Sequence, residues 1–100
     1  MPRKKTEVEK IAGRLISAIQ KVWGEQLGED VADESEKVMN KAHELLQARE
    51  ARGMKEVLSG MTVVQFLNEV WIQKYPKVKV IAIELNTVIN EANKNAVTFR

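Results

Sequence analysis

The stretch Met61–Asn93, MTVVQFLNEVWIQKYPKVKVIAIELNTVINEAN, decides the fold. It holds most of the large apolar residues of the chain and two helix-start signals. Thr62 is a suitable N-cap, and Gln65, three residues on, completes a capping box. Met61 before the cap and Phe66 after it are placed to close a hydrophobic staple. From there Val63, Phe66, Leu67, Val70 and Trp71 recur at the 3.6-residue helical period. Pro76 stops this helix near Lys74, because the residue before a proline avoids the α region. The same proline suits the first turn of a following helix, where its missing N–H is not needed.

That following helix has two apolar faces. Val78, Ile81, Ala82, Leu85, Val88, Ile89 and Ala92 form one broad stripe. Val80 and Ile83 point the other way, beside Thr87. Two arrangements accommodate the second face: burial of the whole helix inside its own domain, or an interface to a partner, where a contiguous apolar patch is expected. A rival reading takes Lys77–Leu85, KVKVIAIEL, as a strand, since it is rich in β-branched residues and its first half alternates. Residues 96–100 (AVTFR) would then pair with it and the domain would be α+β. Helix is preferred, because the stripe continues to Ala92 and is too long for a typical strand.

Working outward, Thr6 and Glu9 form a second capping box ahead of a helix whose face carries Val8, Ile11, Ala12, Leu15, Ile19, Val22 and Trp23. Gly24 or Gly28 ends it. A further helix follows, with Glu29, Asp30, Asp33, Glu34 and Glu36 in its first turns, where acidic residues complement the macrodipole. Its apolar stripe, Val31, Val38, Ala42, Leu45 and Leu46, is thin, and Gly53 closes it. Residues 54–59 allow a short helical turn with Met54, Val57 and Leu58 inward, and Ser59-Gly60 breaks the chain before the hairpin. The expected fold is all-α: a small bundle of four main helices near residues 6–24, 30–52, 62–75 and 77–93, with the short turn between the second and third. Residues 1–5 read as a flexible basic tail, residues 6–93 as a single domain and residues 94–100 as a C-terminal tail.

Composition fits that picture. One hundred residues suit one domain, and 44% apolar with 30% charged residues is the balance of a soluble globular chain. There is no cysteine, so no disulfide and no thiolate chemistry, and the cytosol is the default compartment. No apolar run reaches membrane-spanning length, and no membrane partner is expected. The net charge of +2 is unevenly laid out. Residues 1–23 carry six basic and two acidic side chains, 24–50 three and eight, and 51–100 seven and four.

The inventory for catalysis is thin. His43 is the only histidine and has no second ligand at helical spacing. Ser17, Ser35 and Ser59 lack a nucleophile-elbow context. The acidic run lacks the central Gly and terminal Glu of an EF-hand loop. No glycine-rich phosphate loop is present. The expectation is a non-enzymatic protein with no cofactor and no metal. The reading with fewest assumptions is a small protein–protein interaction or regulatory protein, a homodimer with an interface of Ile72, Tyr75, Val80, Ile83 and Thr87. Tyr and Trp near the hairpin turn are residue types favoured at binding hot spots. The alternative is a basic DNA-binding regulator, using Arg3, Lys4 and Lys5 as an arm and Lys74, Lys77 and Lys79 as a second phosphate-contacting group. Asn86, Asn90, Asn93 and Asn95 would be its candidate base readers. Against it, the would-be recognition helix is too apolar, and a proline stands where a helix-turn-helix has a short Gly-containing turn.

Overall fold

The computed structural model describes residues 6–26, 28 and 32–98, with side chains described as far as Lys94. The helices are α1 (Glu7–Glu25), α2 (Ala32–Ala48), α3 (Ala51–Leu58), α4 (Val63–Leu67), α5 (Glu69–Ile72) and α6 (Pro76–Thr98). No strand occurs among the described residues, and residues 77–85 lie inside α6, so the all-α reading holds and the α+β alternative falls. The expected flexible tail at 1–5 and the positions of Glu29, Asp30 and Val31 lie outside the described residues.

Both expected capping boxes form. The Glu9 and Gln65 amides donate to the hydroxyls of Thr6 and Thr62 at 3.2 and 3.1 Å. The Thr6 and Thr62 amides donate back to the Glu9 and Gln65 side chains at 3.0 and 3.1 Å. Each box satisfies two backbone donors that a helix start otherwise leaves without partners.

The core is a single cluster fed by every helix. Ile11, Leu15 and Ile19 of α1 meet Val38, Ala42 and Leu45 of α2, Met54 and Leu58 of α3, and Val78, Ala82, Leu85 and Ile89 of α6. α6 packs against α1, α3, α4 and α5, while α2 packs against α1, α3 and α4. Among the described residues, no buried side-chain nitrogen or oxygen lacks a hydrogen-bond partner.

Three boundaries differ from expectation, each for a local reason. The helix expected to run to residue 52 ends at Ala48, because Arg49 turns into the left-handed region (φ 65°) and a new helix starts at Ala51. The Arg49 carbonyl accepts from the Thr6 hydroxyl at 2.8 Å, tying this corner to the start of α1. Gly53 sits inside α3 rather than closing α2. A Cβ there would meet the Ala48 Cβ at 3.2 Å, so the corner is tight enough to favour glycine.

The helix expected over 62–75 is broken at Asn68. Its backbone is extended (φ 166°), its amide donates to the Val64 carbonyl, and its side chain accepts from the Trp71 amide at 3.1 Å. Asn68 therefore ends α4 and caps α5. The interruption shifts the helical phase. Val70, expected on the inward stripe, is 72% exposed, and Ile72, expected to point outward, is fully buried.

The last helix continues past residue 93 to Thr98, so residues 94–98 are not an irregular tail. Near that end the Asn93 side-chain Nδ2 donates to the Ala51 carbonyl at 3.1 Å and to the Ile89 carbonyl at 2.8 Å, which joins α6 to the first turn of α3.

Candidate functional site

The outer face of α6 is the first of two surface features the fold creates. Val78, Ala82, Leu85 and Ile89 fill the core, which turns Val80, Ile83 and Thr87 to solvent. Val80 is 64% and Ile83 48% exposed. The Thr87 hydroxyl donates to the Ile83 carbonyl at 3.0 Å, so its polar hydrogen is used within the helix. On one side of this face Arg14 of α1 holds Glu84 in an ion pair at 2.9 Å. On the other, Asn86 accepts from the Val63 amide of α4 at 3.1 Å. Of the two arrangements open from sequence, the second apolar face is therefore exposed in the single chain.

The other expected interface residues divide. Ile72 is a correction: the phase shift at Asn68 puts it in the core, so it contributes nothing to a surface. Tyr75 is half-buried, stacked obliquely on Trp71 with ring centroids 4.5 Å apart. Sequence reasoning missed two exposed apolar side chains, Val70 on α5 and Met61 ahead of α4, the latter 43% exposed. Val70 could have been found only by recognising Asn68 as a cap rather than a helix-interior residue.

The second feature is a cleft of about 410 Å³ between α1 and the turn that joins α5 to α6. Ala18, Val22, Tyr75 and Pro76 give it apolar walls. Lys21, Lys74 and Lys77 line it together with one carboxylate, Glu25. Two lysines of the expected turn cluster thus meet a third from α1, which the sequence order concealed. Lys79 stands apart, donating to the Gln73 side chain at 2.8 Å. Arg3, Lys4 and Lys5 lie outside the described residues.

Behind the cleft runs a partly buried chain of hydrogen bonds. The Trp71 indole N–H donates to the Ser35 hydroxyl at 2.9 Å, and Ser35 donates to the Gln26 side-chain oxygen at 2.6 Å. The Gln26 amide in turn donates to the Tyr75 hydroxyl. Trp71 already stacks on Tyr75, so the loop closes and joins the C-terminal end of α1, the first turn of α2 and the α5–α6 hairpin. Its bonds tie together residues far apart in the sequence, which is how a polar network helps specify a fold.

Of the asparagines offered as base readers, Asn86 and Asn93 are engaged by internal hydrogen bonds and Asn90 is exposed. The side chain of Asn95 lies outside the described residues. His43 is exposed on α2. Among the described residues no three His, Asp or Glu side chains gather in a way that could hold a metal ion, and no helix is long and apolar enough to cross a membrane. Comparison with protein-family models, curated proteins and solved structures finds no match to the chain.

Proposed function

We propose that this chain is a non-enzymatic interaction protein that docks on another protein chain through the outer face of α6. One observation carries the reading: Val80 and Ile83 stand exposed one turn apart on a helix whose opposite face already fills the core. A contiguous exposed apolar patch marks an interaction surface, and Val80 and Ile83 adjoin on one face with Pro76 and Thr87 exposed at either end. The cysteine-free composition supports a reducing compartment, the cytosol.

Light scattering in line with size exclusion, at low and high salt and with and without random-sequence duplex DNA, tests the reading. Self-association that tolerates salt and ignores DNA supports the reading, and a monomer that shifts onto DNA at low salt and leaves it at high salt overturns it. Ile83→Asp should abolish that association while the helical circular dichroism signal stays. If Ile83→Asp unfolds the chain, Ile83 is a core residue and the proposal fails.

A second reading, nucleic-acid binding, has one observation in its favour: Lys21, Lys74 and Lys77 share a cleft. Three ammonium groups in one place could neutralise adjacent phosphates, and such binding would weaken steeply with salt. Changing Lys21, Lys74 and Lys77 together to Glu should then abolish retention on DNA, and an unchanged salt-dependent binding curve would sink this reading.

A further inference from the structure

We infer that the occupant of the outer face of α6 is the same face of a second copy, laid antiparallel about a two-fold axis between Val80 and Ile83. This rests on the interaction reading above and names its partner and geometry.

The face reads the same in both directions. Pro76, Val80, Ile83 and Thr87 are all exposed, and their spacing is four, three and four residues. At about 100° per residue they fall within an arc of roughly 60°, the narrow seam of a two-helix contact. Reversing one helix sets Val80 against the partner's Ile83 twice and Pro76 against the partner's Thr87 twice. Every layer of that contact is apolar, because the Thr87 hydroxyl is already bonded to the Ile83 carbonyl and its methyl remains for packing.

Charge complementarity favours this direction. Lys74, Lys77 and Lys79 mark the start of α6, and Glu84 and Glu91, with one further lysine, Lys94, come later along it. A parallel pair would bring the lysine groups of the two copies side by side. An antiparallel pair lays each lysine end beside the partner's Glu84. Lys77 and Glu84 are seven residues apart and share one edge of the seam. Same-edge positions face each other in an antiparallel pair, so Lys77 of each copy comes within about 3 Å of axial rise of the partner's Glu84, inside the reach of its long side chain. The ion pair with Arg14 keeps Glu84 at that edge, and a carboxylate has lone pairs for a second cation. Opposed macrodipoles also favour the antiparallel sense.

The chain has no cysteine, which makes the geometry directly testable by crosslinking. A Val80→Cys chain carrying a mass tag is mixed with an untagged Ile83→Cys chain and oxidised gently. The mixed disulfide should exceed either like-with-like product severalfold, because only Val80 facing Ile83 brings the Cα atoms within disulfide reach of about 4.4–6.8 Å. Lys77→Glu and Glu84→Lys chains should each self-associate about tenfold more weakly than wild type and pair preferentially with each other. A predominance of like-with-like crosslinks overturns the antiparallel arrangement and leaves the docking face standing. A wild-type chain that stays monomeric up to about 1 mM, an affinity limit near 4 kcal/mol, overturns self-pairing and leaves a different protein as the occupant. A dimer that survives Ile83→Asp overturns both the arrangement and the use of this face.

Discussion

The Trp71 indole N–H donates to the Ser35 hydroxyl at 2.9 Å across 36 residues of chain. Trp71 is 2% exposed and Ser35 fully buried, so water is not at hand to replace either partner. The bond fixes α5 against the first turn of α2. Through Gln26 and Tyr75 the same network reaches the end of α1 and the hairpin turn. The cleft and the start of the outer α6 face are thus held in place by polar contacts beneath them.

Removing the serine hydroxyl isolates the indole donor. Ser35→Ala should destabilise the chain by about 1–3 kcal/mol, the usual consequence of leaving a buried donor without an acceptor. A better helix former at position 35 offsets only about 0.5 kcal/mol of this. Trp71→Phe removes the donor itself, so the double variant should lose less than the two single losses added together. Urea unfolding of the four proteins measures the coupling, and strict additivity would show that the bond contributes nothing.

The cap at Asn68 makes a second case. Asn68→Ala removes the acceptor of the Trp71 amide, a loss of about 1 kcal/mol for an N-cap. Alanine also favours continuing α4 straight through, which would turn Ile72 out of the core and Val70 into it. Faster exchange of the Trp71 amide, with a lowered urea midpoint, is the expected outcome. Unchanged exchange would mean that the side chain does not cap.

These examples show which parts of the fold could be read in advance. Thr6 with Glu9 and Thr62 with Gln65 are partners three residues apart, so the signal and the structure occupy the same short window. The helical stripes of α1 and α6 are likewise local, and the outward placement of Val80 and Ile83 followed from periodicity. Whether that outward face met solvent or another element depended on tertiary packing. Asn68 was opaque because asparagine is tolerated inside a helix and also caps one. Arg49 was opaque because arginine is a good helix former, and only the packing of Ala48 on Gly53 and the bond from Thr6 reveal the corner. Ser35 and Lys21 acquire their roles from residues far along the chain, and no spacing rule connects them to Trp71 or Lys74.

The phase shift predicts opposite outcomes for two aliphatic residues two positions apart. Ile72→Ala should lower stability by about 2–5 kcal/mol, since it opens a cavity in a packed core. Val70→Ala should change it by less than about 0.5 kcal/mol, since the side chain is 72% exposed. A continuous helix over 62–75 reverses the order. Denaturant titration of the two variants therefore decides between a broken and an unbroken helix without any structural measurement.

The corner between α2 and α3 gives a prediction of the other sign. Arg49 has φ 65°, where a Cβ crowds the following carbonyl and glycine does not. Its side chain is exposed, and the bond it receives from Thr6 ends on its backbone carbonyl, which any residue retains. Arg49→Gly therefore relieves backbone strain without removing that bond. The relief of roughly 1–2 kcal/mol exceeds the added freedom of the unfolded chain, leaving a net gain of about 0.5–1 kcal/mol. Arg49→Val should lose at least as much, because a β-branched side chain tolerates the left-handed region poorly. A raised urea midpoint for the glycine variant, with an unchanged slope, is the expected result. A lowered midpoint would mean that the arginine side chain makes a stabilising contact that outweighs the strain at its own backbone.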